Sequence, residues 1–153
     1  MGKINLGRVI LGGLVAGVII DLIEGIMHAV VFADRWAAQM TSLNRSQAGS
    51  MEQIVVLNLW GFAAGILTVW LYAAIRPRFG AGPRTAMCAG LFTWATICGM
   101  GTAVPVILHI YQLDLGLMGV GYEVVEMLIA SVAGAYFYKE GAVEAGRSAA
   151  ARA

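Results

Sequence analysis

Charge is what this sequence has least of. Asp, Glu, Lys and Arg together make up 12% of its 153 residues, where a soluble domain carries about 25%. That shortage, with 59% hydrophobic residues and a mean hydropathy of +0.78, excludes an ordinary water-soluble domain and points to an integral membrane protein. Ten basic residues against nine acidic ones leave no stripe that would track a phosphate backbone, so nucleic acid is not expected as a partner. Cysteine is scarce too. Cys88 and Cys98 lie in one apolar run, about 15 Å apart along a helix, which is beyond disulfide reach and unlike a Cys-x-x-Cys redox pair. Both read as small apolar packing residues. No Ser or Cys stands beside a histidine in a nucleophilic arrangement, so no catalytic residue is named and enzymatic activity is left open.

Long hydrophobic runs are what the chain has instead. Crossing a bilayer takes roughly 20 helical residues, and four runs reach that length, at residues 6–32, 54–75, 85–111 and 117–138. They are joined by a loop at 33–53 and by short connections at 76–84 and 112–116, so sequential helices become antiparallel neighbours. The expected fold is all-α: one transmembrane domain over 1–153, a four-helix up-down bundle, with a short Ala-rich tail at 141–153. Lys3 and Arg8 precede the first run as in a signal peptide, but that run is too long for an h-region and carries Asp21 and Glu24. An uncleaved first span is expected. Lys3, Arg8, Arg76, Arg78, Arg84, Lys139, Arg147 and Arg152 fall on one side of this topology, and only Arg35 and Arg45 on the other. By the positive-inside rule both termini are cytoplasmic.

Within the loop, Trp36, Met40 and Leu43 recur at helical spacing, which suits a short interfacial helix, with an ordinary polar loop as the alternative. Pro77, Gly80, Gly82 and Pro83 mark the turn between the second and third spans. Pro105, after Gly99 and Gly101, is expected to kink or open the third. Gly13 with Gly17 and Gly61 with Gly65 permit close helix approach, within one chain or between chains.

The segment Trp70-Leu-Tyr-Ala-Ala-Ile-Arg-Pro-Arg-Phe-Gly-Ala-Gly-Pro-Arg-Thr85, with Gly12-Gly-Leu-Val-Ala-Gly17 at the entry to the first span, resembles a group of small bacterial four-helix inner-membrane proteins without an established function. The resemblance implies the same topology and a place in the bacterial inner (plasma) membrane over most of the chain. It implies no activity.

The stretch Asp21-Leu-Ile-Glu24-Gly-Ile-Met-His28 interrupts the apolar pattern. Spacings of three and seven put Asp21, Glu24 and His28 on one stripe of a helix. A charge at membrane depth costs at least ~2.5–3.5 kcal/mol, so the stripe should face protein rather than lipid. Glu123-x-x-Glu126 repeats the acidic spacing on the fourth span. At the helical rise per residue, Glu24 and Asp21 lie about 12 and 16 Å from the outer end of their span, and Glu123 and Glu126 about 9 and 13 Å from theirs. The two pairs therefore overlap in depth, in the extracytoplasmic half, where His109 and Asn58 also fall. Four carboxylates gathered there cannot all stay ionised without protons, histidinium, a reaching Arg35 or bound cations.

Asp21, Glu24, His28, His109, Glu123 and Glu126 together make the ligand inventory of a dinuclear carboxylate site in a four-helix bundle. The order differs from the Glu-x-x-His pattern of such sites, so only the inventory is shared. Oxygen ligands with imidazole suit a divalent metal such as iron, manganese or zinc. Haem between His28 and His109 is the lesser alternative, and the methionines Met27, Met100, Met118 and Met127 read as core filler rather than a copper set. Asn58 and Tyr122 are weaker candidates. Trp36, Trp60, Trp70 and Trp94 suit belt or packing roles. The leading expectation is therefore a metal-binding membrane bundle. The alternatives are a proton- or cation-coupled transporter, or an accessory subunit of a larger membrane complex. Besides the lipid bilayer, a homo-oligomer or such a complex is the expected partner, and the bland reading makes the acids protonated glue between helices.

Overall fold

Asn5 starts the first helix by accepting the Arg8 N–H on its side chain at 3.2 Å, which satisfies one of the donors that a helix N-terminus leaves free. In the computed structural model, which describes residues 4–45 and 49–140, this helix, α1, runs Leu6–Val31. Its last turn widens to π geometry over Met27–Val31. A short α2 follows at Ala33–Ser42 and ends with Asn44 in the left-handed conformation, φ 54°, as the Arg45 N–H reaches back to the Met40 carbonyl. Helix α3, Met51–Phe79, opens on a capping box. Ser50 Oγ accepts the Gln53 N–H at 3.2 Å, and Gln53 Oε1 accepts the Ser50 N–H at 2.9 Å. Helices α4, Pro83–Ile107, and α5, Leu113–Phe137, complete the chain. Among the described residues the protein is all-α, and α1, α3, α4 and α5 are each long and apolar enough to cross a membrane.

The prolines act elsewhere than the sequence suggests. Pro77 does not open the turn, because α3 continues through it to Phe79. So near a C-terminus a proline removes one backbone bond and the helix continues beyond it. Gly80 stops the helix at φ 85°, a conformation that favours glycine. Thr85 Oγ1 donates to the Gly80 carbonyl at 2.8 Å, and the Gly82 N–H donates to the Tyr72 hydroxyl at 3.3 Å. Helix α4 likewise runs on past Pro105. Its irregularity lies upstream, as a π segment at Trp94–Gly99. Pro105 instead serves the helix end: its carbonyl accepts the N–H groups of Ile110 and Tyr111, with His109 left-handed between them and the helix, φ 55°. Helix α5 then starts at Leu113, within the connection expected at 112–116.

Helix α1 packs against α3 and α5, and α4 against α5 and α3. The Asn5 N–H donates to the Tyr138 hydroxyl at 3.4 Å, so the start of α1 meets the end of α5 and the two are antiparallel. Glycine brings the backbones together. A Cβ added to Gly65 would lie 2.5 Å from the Gly13 carbonyl oxygen and 2.6 Å from the Gly17 nitrogen, and one at Gly134 would lie 2.7 Å from the Gly12 oxygen. The two glycine pairs singled out in the sequence are thus spent within the chain, on the α1–α3 crossing. The buried core follows in the same half of the bundle, with Val9, Ala16, Val69, Tyr72, Ala86, Ala89, Met127, Ala130 and Tyr138. Beyond Gly61 the helices part. Every residue of α3 from 51 to 60 is exposed, as are most of α4 from 100 to 107.

Candidate functional site

At the end where the helices part, α1 turns its polar stripe inward. Asp21 faces α3, where its carboxylate rests on Gly61 in space that a Cβ would fill. One turn on, Glu24 faces α5 and accepts the Tyr122 hydroxyl, which stands 3.0 Å from each carboxylate oxygen. His28 Nδ1 lies 2.9 Å from Glu24 Oε2 and 3.0 Å from the Glu24 carbonyl. Both neighbours are acceptors, so Nδ1 carries the proton. Helix α5 supplies Glu123 and Glu126. Glu123 lies within hydrogen-bonding reach of Cys98 on the π segment of α4, and Glu126 is buried, only 2% exposed, within electrostatic reach of Glu24, Glu123 and Asp21. Both π segments in the described residues therefore border this cluster, the kind of place where such distortions are frequent.

Hydrogen-bond supply separates the four acids. Glu24 has Tyr122 and His28. By contrast Asp21 Oδ2, Glu123 Oε2 and Glu126 Oε2 are buried with no hydrogen-bond partner. Among the described residues the ion pairs are His28–Glu24, Arg35–Asp114 and Arg76–Glu140, so no Lys or Arg neutralises the cluster. Arg35, a candidate to reach the acids, is held by Asp114 at 2.8 Å instead.

Helix α2 roofs the cluster. Trp36 stacks on His28 with centroids 4.7 Å apart and meets Tyr111 edge-on at 5.5 Å, while Phe32 lies against Tyr122 at 5.8 Å. The latch is Gln39, 2% exposed. Its amide donates to the Ile110 carbonyl at 2.6 Å and accepts the Gln112 N–H at 3.2 Å. Gln39→Leu would strand both backbone groups, at about 1–3 kcal/mol for a buried group left unpaired. Faster amide exchange over Ala33–Ser42, with α3 unchanged, is the expected result; unchanged exchange in α2 would show that the amide is no latch.

Of the six residues singled out in the sequence, the structure brings together Asp21, Glu24, His28, Glu123 and Glu126. His109 is left out: it is exposed, it terminates α4, and no hydrogen bond, ion pair or ring contact joins it to the other five. Asn58 is also apart, its amide bonded to the Ile54 carbonyl of its own helix. Sequence reasoning undervalued three side chains. Tyr122 shares a helix face with Glu126 four residues on, a spacing that was legible. Cys98 read as packing, and Trp36 as a belt residue, because their neighbours come from other helices and leave no local pattern. Among the described residues no group of three or more His, Cys, Asp or Glu side chains is arranged to hold a metal ion. The chain matches no family model, no curated protein and no solved structure, so the function is argued from its own residues.

Proposed function

We propose that this chain is a multi-pass protein of the bacterial inner membrane, both termini cytoplasmic, whose acidic cluster lies in the extracytoplasmic half and takes up cations, protons foremost, in a proton- or cation-coupled transport cycle. The observation that carries this reading is the set of three buried carboxylate oxygens without donors, on Asp21, Glu123 and Glu126. A buried acceptor left unpaired costs about 1–3 kcal/mol, more if charged, and an arriving cation removes that cost. Glu24, already held by Tyr122 and His28, is the fixed anion beside which the others load and unload. Orientation is supported by Arg8, Arg76, Arg78, Arg84 and Lys139, which flank the spans at the end where the chain enters and leaves the bundle.

A resident metal, iron, manganese or zinc, is the second reading. It is favoured by the donor types at hand, with His28 nitrogen, Cys98 sulfur and carboxylate oxygens around one region. It ranks behind protons because these donors must rotate before three of them converge. Purified protein reconstituted in liposomes with an internal pH dye separates the readings. Proton-coupled flux that disappears in Glu24→Gln is the expected outcome. Silence across a panel of cations would remove the transport reading, and stoichiometric metal without flux would install the metal one. Fixed co-purifying partners, combined with tolerance of Glu123→Gln, would make the chain an accessory subunit instead.

A further inference from the structure

Two unmet surfaces face each other across the seam between α1 and α3. Contacts of Gly13 with Ile66, Gly17 with Phe62 and Asp21 with Gly61 set the antiparallel register of the two helices. Continued by one turn, that register puts Asn58 opposite Glu24. Asn58 also falls on the same face of α3 as Gly61 and Gly65, three and seven residues on. Yet the seam is open there: nothing lies within 4 Å of a Cβ built on Gly25, and Leu57 on α3 is 67% exposed.

Each wall lacks what the other has. On α1, the side chains of Glu24 and His28 remain 31% and 40% exposed, an exposure that is costly at membrane depth. Across from them Asn58 spends one N–H on the Ile54 carbonyl at 2.7 Å and leaves its other amide hydrogen and its oxygen unused, in a helix with an 18-residue stretch of mean hydropathy 2.0. Apolar side chains of the α3 wall, Ile54 and Leu57, are exposed beside Asn58. The capping box that starts α3 is made within its own first turn, and every residue of α3 from 51 to 60 is exposed.

We propose that Asn58 is a further residue of the acidic site, brought onto the Glu24–His28 pair when α3 above Gly61 closes against α1. The amide is both donor and acceptor, so it can serve the carboxylate and the imidazole together. Closure buries the apolar wall of α3 and shields the ion pair from the lipid side. The inference rests on the spans lying in a membrane but not on which cation the cluster carries, so it can fail while the transport reading stands, and the reverse.

Cross-linking tests it. Gly25→Cys and Leu57→Cys are introduced together, with Cys88→Ala and Cys98→Ala, in the full chain reconstituted in lipid vesicles. Glu24 and Asn58 stay in place. A short bifunctional thiol reagent should give an intramolecular cross-link, identified by mass spectrometry. Adding Asn58→Leu should lower its yield roughly fivefold, the population change that one interhelical hydrogen bond of ~1 kcal/mol sets, and Asn58→Gln should restore much of it. Three outcomes overturn the proposal: no intramolecular product, cross-linked dimers alone, or a yield indifferent to Asn58→Leu.

Discussion

Glu126→Met is expected to raise the thermal stability of the protein while abolishing cation-coupled flux. Glu126 is 2% exposed, one of its oxygens has no hydrogen-bond partner, and three other acids stand within electrostatic reach. Methionine has a similar volume and needs no donor. Replacing a buried polar group that lacks a partner with an apolar side chain of like shape removes a desolvation cost of about 1–3 kcal/mol. A gain in stability with a loss of function is the signature of a site whose chemistry is held against the interest of the fold. The rival reading, in which the acids are glue between helices, predicts the opposite sign. Thermal unfolding in mild detergent, alongside liposome flux, decides between them: a destabilised Glu126→Met that still carries cations would leave the glue reading in possession.

Gly65→Val should be the most damaging substitution in the packed half. Its Cβ would stand 2.5 Å from the Gly13 oxygen and 3.0 Å from Gly17 Cα. Those atoms are backbone, which cannot rotate aside, so α1 and α3 must separate along their whole crossing. Overpacking costs about 1–3 kcal/mol where side chains can adjust, and here they cannot, so the loss should reach or pass the top of that range. Asp21 rests on Gly61 in the same crossing, so the acidic cluster should be disturbed with it. Gly121→Ala is the control. Nothing lies within 4 Å of its Cβ, and alanine in a helix interior gains up to about 1 kcal/mol over glycine. Opposite signs for the two substitutions, by thermal unfolding, are expected; equal losses would mean that helix approach is not what Gly65 provides.

Much of the architecture was legible because it is local. Four apolar runs, the Gly80–Gly82 turn and the helical spacing of Trp36, Met40 and Leu43 are properties of consecutive residues, and α1, α3, α4, α5 and α2 stand where they pointed. Boundaries moved where capping chemistry decided them. Ser50 with Gln53 drew the start of α3 back to Met51, and the doubly used Pro105 carbonyl ended α4 at Ile107, short of the Tyr111 that hydropathy suggested. His109 shows the same logic at the site. Hydropathy put it in the span beside the other ligands, but its left-handed backbone makes it the stop signal of the helix, outside the cluster.

By itself the sequence determined that this is an all-α chain with four membrane-length apolar helices, and that five ionisable side chains, Asp21, Glu24, His28, Glu123 and Glu126, fall at matching heights on the first and last of them. Periodicity and rise per residue suffice for that. Only the tertiary structure decided how they are shared out: Glu24 to Tyr122 and His28, Glu123 to Cys98, Asp21 to the hollow over Gly61, and Glu126 to a buried place where one of its oxygens has no hydrogen-bond partner. Those assignments depend on how each helix is rotated and where the helices part. Rotation and parting are set by glycines that meet backbone to backbone across helices, a relation between distant residues that no window of sequence contains.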